Sequence, residues 1–352
     1  MSAFPGAAPA QGLLLVILAG ILAGSGAAPI KIMRSYRYEH WALPSLALGL
    51  VILPWTATLA RCPDALAAFA SIDPVVILKA NAFSAAWGVA NLLSCLCLLR
   101  IGFSLTAGLM MGIGLPIGVL TPMVFRGTGL FADAPGLGSA AGHLILTGVA
   151  IMLVAVALVT LAGFGRDAAR SGGGSPSGQA DGGFRTGLIM AVLTGLLQAG
   201  LSFAFVYSQG PITDALRARG AGEGAAGIGV WAVTLPGGAL VNLGYPLYLI
   251  RRDRSWGVFA ARPFEGALTV AMGVSFFCFV AAMGQGMRLL GPLGASIGFG
   301  VQQASQIVAA QGVGYVSGEW RGVAGRPRRQ MACAVVLLLV AVVIMSAGRA
   351  RG

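Results

Sequence analysis

Two pairs of polar side chains sit one helical turn apart inside stretches that are otherwise apolar: Gln302 with Gln306, and Gln198 with Ser202. Residues at i and i+4 share one face of a helix, so each pair aims its hydrogen-bonding groups the same way. Asn81, Asn91, Asn242, Gln285, Gln303, Gln311, Tyr207 and Tyr245 extend the set. Amides and hydroxyls donate and accept, which suits a neutral, polyhydroxylated solute. Trp55 and Trp87 add flat rings on which an apolar sugar face can stack. Polar groups of this kind also bond helices to one another. Their number, spread over both halves of the chain, is what points to a solute.

Ionisable groups are placed differently. A charge at the centre of a bilayer costs at least about 2.5–3.5 kcal/mol, and all eleven acids fall in loops or at the ends of apolar runs. The candidates to carry a proton are therefore Lys31, which follows Pro29 at a helix end and is also expected to face the solute, Lys79, a few residues inside the third run, His143, at the edge of the fifth, and the span-edge acids Glu39, Glu265 and Glu319. Lys79 can also snorkel to the interface. Nothing in the pattern points to catalysis, a cofactor or a metal. Cys95 and Cys97 point to different helix faces, and GIGLPIG from Gly112 lacks the strand and lysine of a phosphate loop.

The elements that must position these groups follow from composition. Of 352 residues, 57% are hydrophobic and 10% charged, against about 25% charged in a soluble domain, and mean hydropathy is +0.84. Apolar runs of about 20 residues, the length that crosses a bilayer core, recur at 11–30, 41–60, 75–99, 101–125, 141–165, 186–209, 227–250, 265–288, 292–317 and 331–348. In lipid the backbone must satisfy its own hydrogen bonds. The reading is an all-α membrane protein of ten transmembrane helices. No basic segment precedes the first run, which is read as a retained helix and not a cleaved signal.

The net charge of +12 is topogenic and does not imply nucleic acid. Fifteen Lys and Arg residues occupy the loops after odd-numbered spans and seven lie on the other side. The basic side faces the cytoplasm, so both termini are expected outside, in a multi-pass protein of the bacterial inner membrane. The segment 166–185, with SGGGSPSGQADGG, has linker composition, and divides the chain into 1–165 and 186–352. GLLLVILAGILAG from Gly12 matches GLIMAVLTGLLQA from Gly187 without a gap, and LVAVALVTLAG from Leu153 matches LVAVVIMSAG from Leu339. Five is odd, so the second copy enters the membrane inverted, and inverted repeats belong to secondary transporters. Glycine and proline interrupt spans four and nine at corresponding places, marking the expected site.

A set of motifs runs in order along the chain: Pro29-Ile30-Lys31, Ile52-Leu53-Pro54-Trp55, Trp87-Gly88 with Asn91, Arg100-x-Gly102-x-Ser104, Thr121-Pro122, Asn242-Leu243-Gly244, and Glu319-Trp320 before Gly325-Arg326-Pro327. Together they resemble the L-rhamnose–proton symporter family of the drug/metabolite transporter superfamily. The resemblance implies two inverted five-helix repeats and proton-coupled uptake of a deoxyhexose such as L-rhamnose. The stretch Ala281–Gln306 departs from the family's bulkier aromatic and polar pattern, which bears on the substrate more than on the fold. Export or facilitated passage of another small metabolite, and a transport-inactive sensor, are the alternatives.

Overall fold

The computed structural model describes residues 7–101, 103–126, 134–170, 181–291 and 294–348. Among these residues every regular element is helical. In chain order they are α1 (Ala7–Ser25), α2 (Tyr38–Ala47), α3 (Leu53–Arg61), α4 (Ala65–Ala70), α5 (Pro74–Ile101), α6 (Phe103–Val124), α7 (Ala140–Arg170), α8 (Asp181–Leu197), α9 (Gly200–Arg217), α10 (Glu223–Asp253), α11 (Gly257–Ala261), α12 (Pro263–Leu289), α13 (Phe299–Val316) and α14 (Arg326–Gly348). A 3-10 turn, Ala28–Ile32, follows α1, and π-helical turns at Leu48–Ile52 and Gly294–Gly298 lead into α3 and α13.

Among the described residues, nine stretches are long and apolar enough to cross a membrane, and they fall on nine of the ten expected spans. The exception is expected span nine. It is helical, but Gln302, Gln303, Gln306 and Gln311 on α13 make it too polar to qualify by composition. Span six is longer than its sequence suggests, because α8 and α9 form one stretch from Arg185 to Arg217. Helix α7 runs on to Arg170, inside the segment of linker composition, whose centre at 171–180 lies outside the described residues.

Glycine sets the distances between helices. A Cβ on Gly20 would lie 2.5 Å from the Gln302 carbonyl, and one on Gly24 would lie 2.3 Å from that of Gln306, so α1 touches the α13 backbone directly. Gly12 meets Leu289 and Gly286 of α12 in the same way. Close crossings of this kind are how small residues hold membrane helices together.

Proline sets where helices yield. Pro44 and Pro54 flank the π turn of the second span, and Pro236 and Pro246 lie inside α10. A proline removes one backbone donor and crowds the carbonyl four residues earlier. A neighbour serves the rung next to the one that Pro236 breaks. Asn81 of α5 accepts from the Gly237 amide (2.7 Å) and donates to the Val233 carbonyl (2.9 Å), the two ends of one helical rung. One residue on, Ser84 accepts from Gly238 (3.0 Å). A side chain inserted into the ladder marks a bend.

Asn81→Ala should leave a buried donor and acceptor unpaired, at a cost of about 1–3 kcal/mol, visible as a lower unfolding temperature. In a Pro236→Ala background the helix can close its own rung, so the same change should cost less. Equal losses in both backgrounds would show that Asn81 does not serve the proline break.

Candidate functional site

Helices α6, α7, α13 and α14 enclose a partly open cleft of ≈ 120 Å³, smaller than the about 300–1,000 Å³ typical of small-molecule sites. Most of its wall is apolar, including Met111, Val159, Ile307 and Met331; Thr160, Arg166, Gln306 and Gln311 supply the polar groups. Gly108 is part of the design, since a Cβ there would overlap the Thr160 hydroxyl. Gln302 is buried on α13, and its Nε2 donates to the Gln306 Oε1 at 2.9 Å. That bond fixes the amide of Gln306 at the cleft wall.

The other expected residues fall into separate groups. Trp87 is buried on α5, its ring 6.0 Å from Phe276 of α12, and on the same helix Asn91 donates to Asn242 of α10 at 3.4 Å. Gln198 and Ser202 lie at the α8–α9 junction beside α5, where Gly200 approaches the backbone of Phe83 and Trp87. Among the described residues Gln198 Oε1 and Ser202 Oγ are buried without a hydrogen-bond partner, an arrangement that asks for a water or a solute. Trp55 packs edge-on against Phe69 at 5.7 Å, and Gln285 lies beside Gly227. Lys79 and His143 are exposed near the starts of α5 and α7.

Lys31 is placed by a network at one end of the bundle. Its ammonium meets Glu319 and donates to Ser317 Oγ at 2.7 Å. The other Glu319 oxygen accepts from Arg166 at 2.8 Å, and Arg166 also pairs with Asp167 and lies over the Trp320 ring. The segment that follows Lys31 is tied down repeatedly. Glu265 accepts the amides of Arg34, Ser35 and Tyr36, Arg37 pairs with Asp253, and buried His40 bonds Ser255 at 2.9 Å. Burial, and then the Glu265 charge, raises the pKa of the Tyr36 phenol, which keeps its proton.

The family model for the L-rhamnose-proton symport protein matches residues 7–351. The chain belongs to this family. Similar proteins include the L-rhamnose-proton symporter of Cronobacter sakazakii, 28% identical over 97% of this chain and 98% of its own length. That of Citrobacter koseri is 25% identical over 92% and 93%, and that of Yersinia pestis bv. Antiqua is 31% identical over 62% and 61%. Membership of the symport family makes the chain a membrane transporter and not an enzyme.

Within this symport family member the structure adds residues that sequence reasoning passed over. Arg166 entered it only as a loop charge, because the linker composition hid the last turn of α7. Asn81 entered it only as one more amide; the signal was Pro236-Gly237-Gly238 on a different helix. Of the two spans expected to be interrupted, α6 is one helix containing Pro116 and Pro122, while the ninth does carry a π turn.

Gly20→Val should force α1 off α13, costing about 1–3 kcal/mol of stability by overpacking and disturbing the Gln302–Gln306 pair. Gly112→Ala, where an added Cβ meets nothing within 4 Å, should be neutral or stabilising by up to about 1 kcal/mol. Thermal unfolding of both purified variants checks the contrast.

Proposed function

We propose that this protein takes up a neutral deoxyhexose such as L-rhamnose together with a proton, by alternating access across the bacterial inner membrane. The observation that carries this reading is the family match over residues 7–351, joined to a cleft whose polar groups suit hydroxyls. Its charges support a neutral solute: around Arg166 the cations Lys31 and Arg166 are balanced by Glu319 and Asp167.

The proposed architecture is ten transmembrane helices in two inverted five-helix repeats, with α13 as the helix of the ninth span. Helix partners support it. The packed pairs α1–α12, α1–α13, α13–α14 and α2–α12 have counterparts in α8–α5, α8–α6, α6–α7 and α10–α5. The aligned glycines follow suit. Gly12 meets α12 and Gly187 meets the end of α5; Gly20 meets α13 and Gly195 meets α6. Pro44 and Pro54 in the second span have the same ten-residue spacing as Pro236 and Pro246 in the seventh.

In this reading Gln302, Gln306, Gln198, Ser202, Trp87, Asn91 and Asn242 line the solute's path, with Trp55 and Gln285 nearer its ends. Lys31 is the coupling candidate with a link to the cleft, through Glu319 to Arg166. Lys79, His143 and the span-edge acids Glu39, Glu265 and Glu319 are the others.

Proteoliposomes with an imposed proton gradient should accumulate L-rhamnose, and Gln306→Ala should raise its KM about tenfold. Uptake that equilibrates regardless of the gradient would mean facilitated passage, and no L-rhamnose movement in either direction would overturn the substrate. Accumulation lost in Lys31→Gln supports coupling there; accumulation unaffected by that change excludes it.

The charge count places Arg251 in the cytoplasm, Arg219 outside, and both termini outside. In a cysteine-free background, an impermeant maleimide applied to intact cells should label Arg219→Cys and spare Arg251→Cys. The reverse pattern would invert the topology.

A further inference from the structure

Arg166 lines the cleft, yet its side chain is only 10% exposed and does not stand there as a free cation. Glu319 Oε2 accepts from one of its terminal nitrogens at 2.8 Å, and Asp167 faces Nε and the other nitrogen at 3.0 Å. A guanidinium carries five N–H donors, so these contacts leave donors for a solute. Trp320 lies under the same group, its ring stacked on Tyr315 at 5.2 Å.

The remaining charges near Glu319 are identifiable from every element around it. Lys31 comes from the turn after α1, Arg166 and Asp167 from α7, and Arg321 from the turn that carries Glu319. Arg326, Arg328 and Arg329 open α14, which packs on Gly165 through Pro327. These last four arginines are exposed, where water and salt screen them. The inner set of two cations and two carboxylates sums to zero. Lys31 and Asp167 are the more exposed pair, and Glu319 is the acid brought to Arg166 from another part of the chain.

We propose that Glu319 is a specificity-determining residue: by compensating Arg166, it makes the cleft accept neutral sugars and refuse their acid forms. This rests on the reading of the cleft as the solute site. Selectivity needs an element that works against the wrong ligand as well as contacts to the right one. A carboxylate-bearing sugar brought against Arg166 meets two carboxylates already holding that guanidinium. A neutral hydroxyl accepts from the free N–H groups without that repulsion. Glu319 is thus a positioning and charge-balancing group, acting through Arg166.

The test compares L-rhamnose with L-mannuronate, which carries a carboxylate where L-rhamnose carries its methyl. Equilibrium binding to the purified full-length protein is read from tryptophan fluorescence in wild type and Glu319→Gln. The affinity for the acid relative to the neutral sugar should rise about tenfold in Glu319→Gln, and the gain should shrink at high salt. A residue with only a structural role would weaken both ligands alike, and an unchanged ratio overturns the proposal. Should Glu319→Gln not fold, Asp167→Asn removes the second carboxylate from the same guanidinium, and its ratio decides in the same way. Wild type that fails to bind L-rhamnose would overturn the reading of L-rhamnose as the solute, while a gain of acid binding in the variant remains measurable on L-mannuronate alone.

Discussion

A helix broken inside a bilayer has no water with which to repair its backbone, and this constraint governs how the bundle is built. Pro236 lies between two runs of buried residues in α10, Gly229–Leu235 and Gly237–Ala239. The chain answers with Asn81, whose carboxamide offers one acceptor and one donor to the two ends of an adjacent rung. Gly237 and Gly238 carry no side chains to hold α5 away, so its backbone and Ser84 come close enough to help. Around that seam Trp87 meets Phe276, and Asn91 meets Asn242. The polar groups of the bundle interior are therefore arranged by a backbone problem before any solute arrives.

At one end of the bundle a second constraint operates. The segment from Lys31 to His40 is tied by side chains or backbone amides to the turn after α13, the first turn of α12, the end of α10 and the turn beyond it. Each tie joins the first half of the chain to the second. Ion pairs that are exposed are worth little individually, about 0–1 kcal/mol, but a carboxylate accepting three amides fixes a loop by geometry. The cleft beside this end inherits its shape from the same set, because Glu319 holds both Lys31 and Arg166.

Much of this was legible in the sequence, and what was not has a physical cause. Helix positions follow from hydropathy, because crossing a bilayer demands length and apolarity together. The Gln302–Gln306 pair follows from helical spacing, and the structure shows it bonded. Arg166 was hidden because 166–185 reads as one linker, whereas α7 runs on through its first residues to Arg170, just ahead of the glycine- and serine-rich stretch. Asn81 was hidden for a different reason. Its role is defined by a proline 155 positions away, and spacing along one helix carries no trace of a partner on another.

The glycine contacts between α1 and α13 have a consequence for motion. Leucines that interdigitate must leave their rotamer wells before two helices can shift, and that unlocking opposes sliding. At Gly20 and Gly24 the opposing surface is mostly main chain, which has no rotamers to release. Separation between the two helices is rigidly set, while displacement along their common axis meets little friction. A seam built this way behaves as a bearing: stiff against pulling apart, compliant to slip.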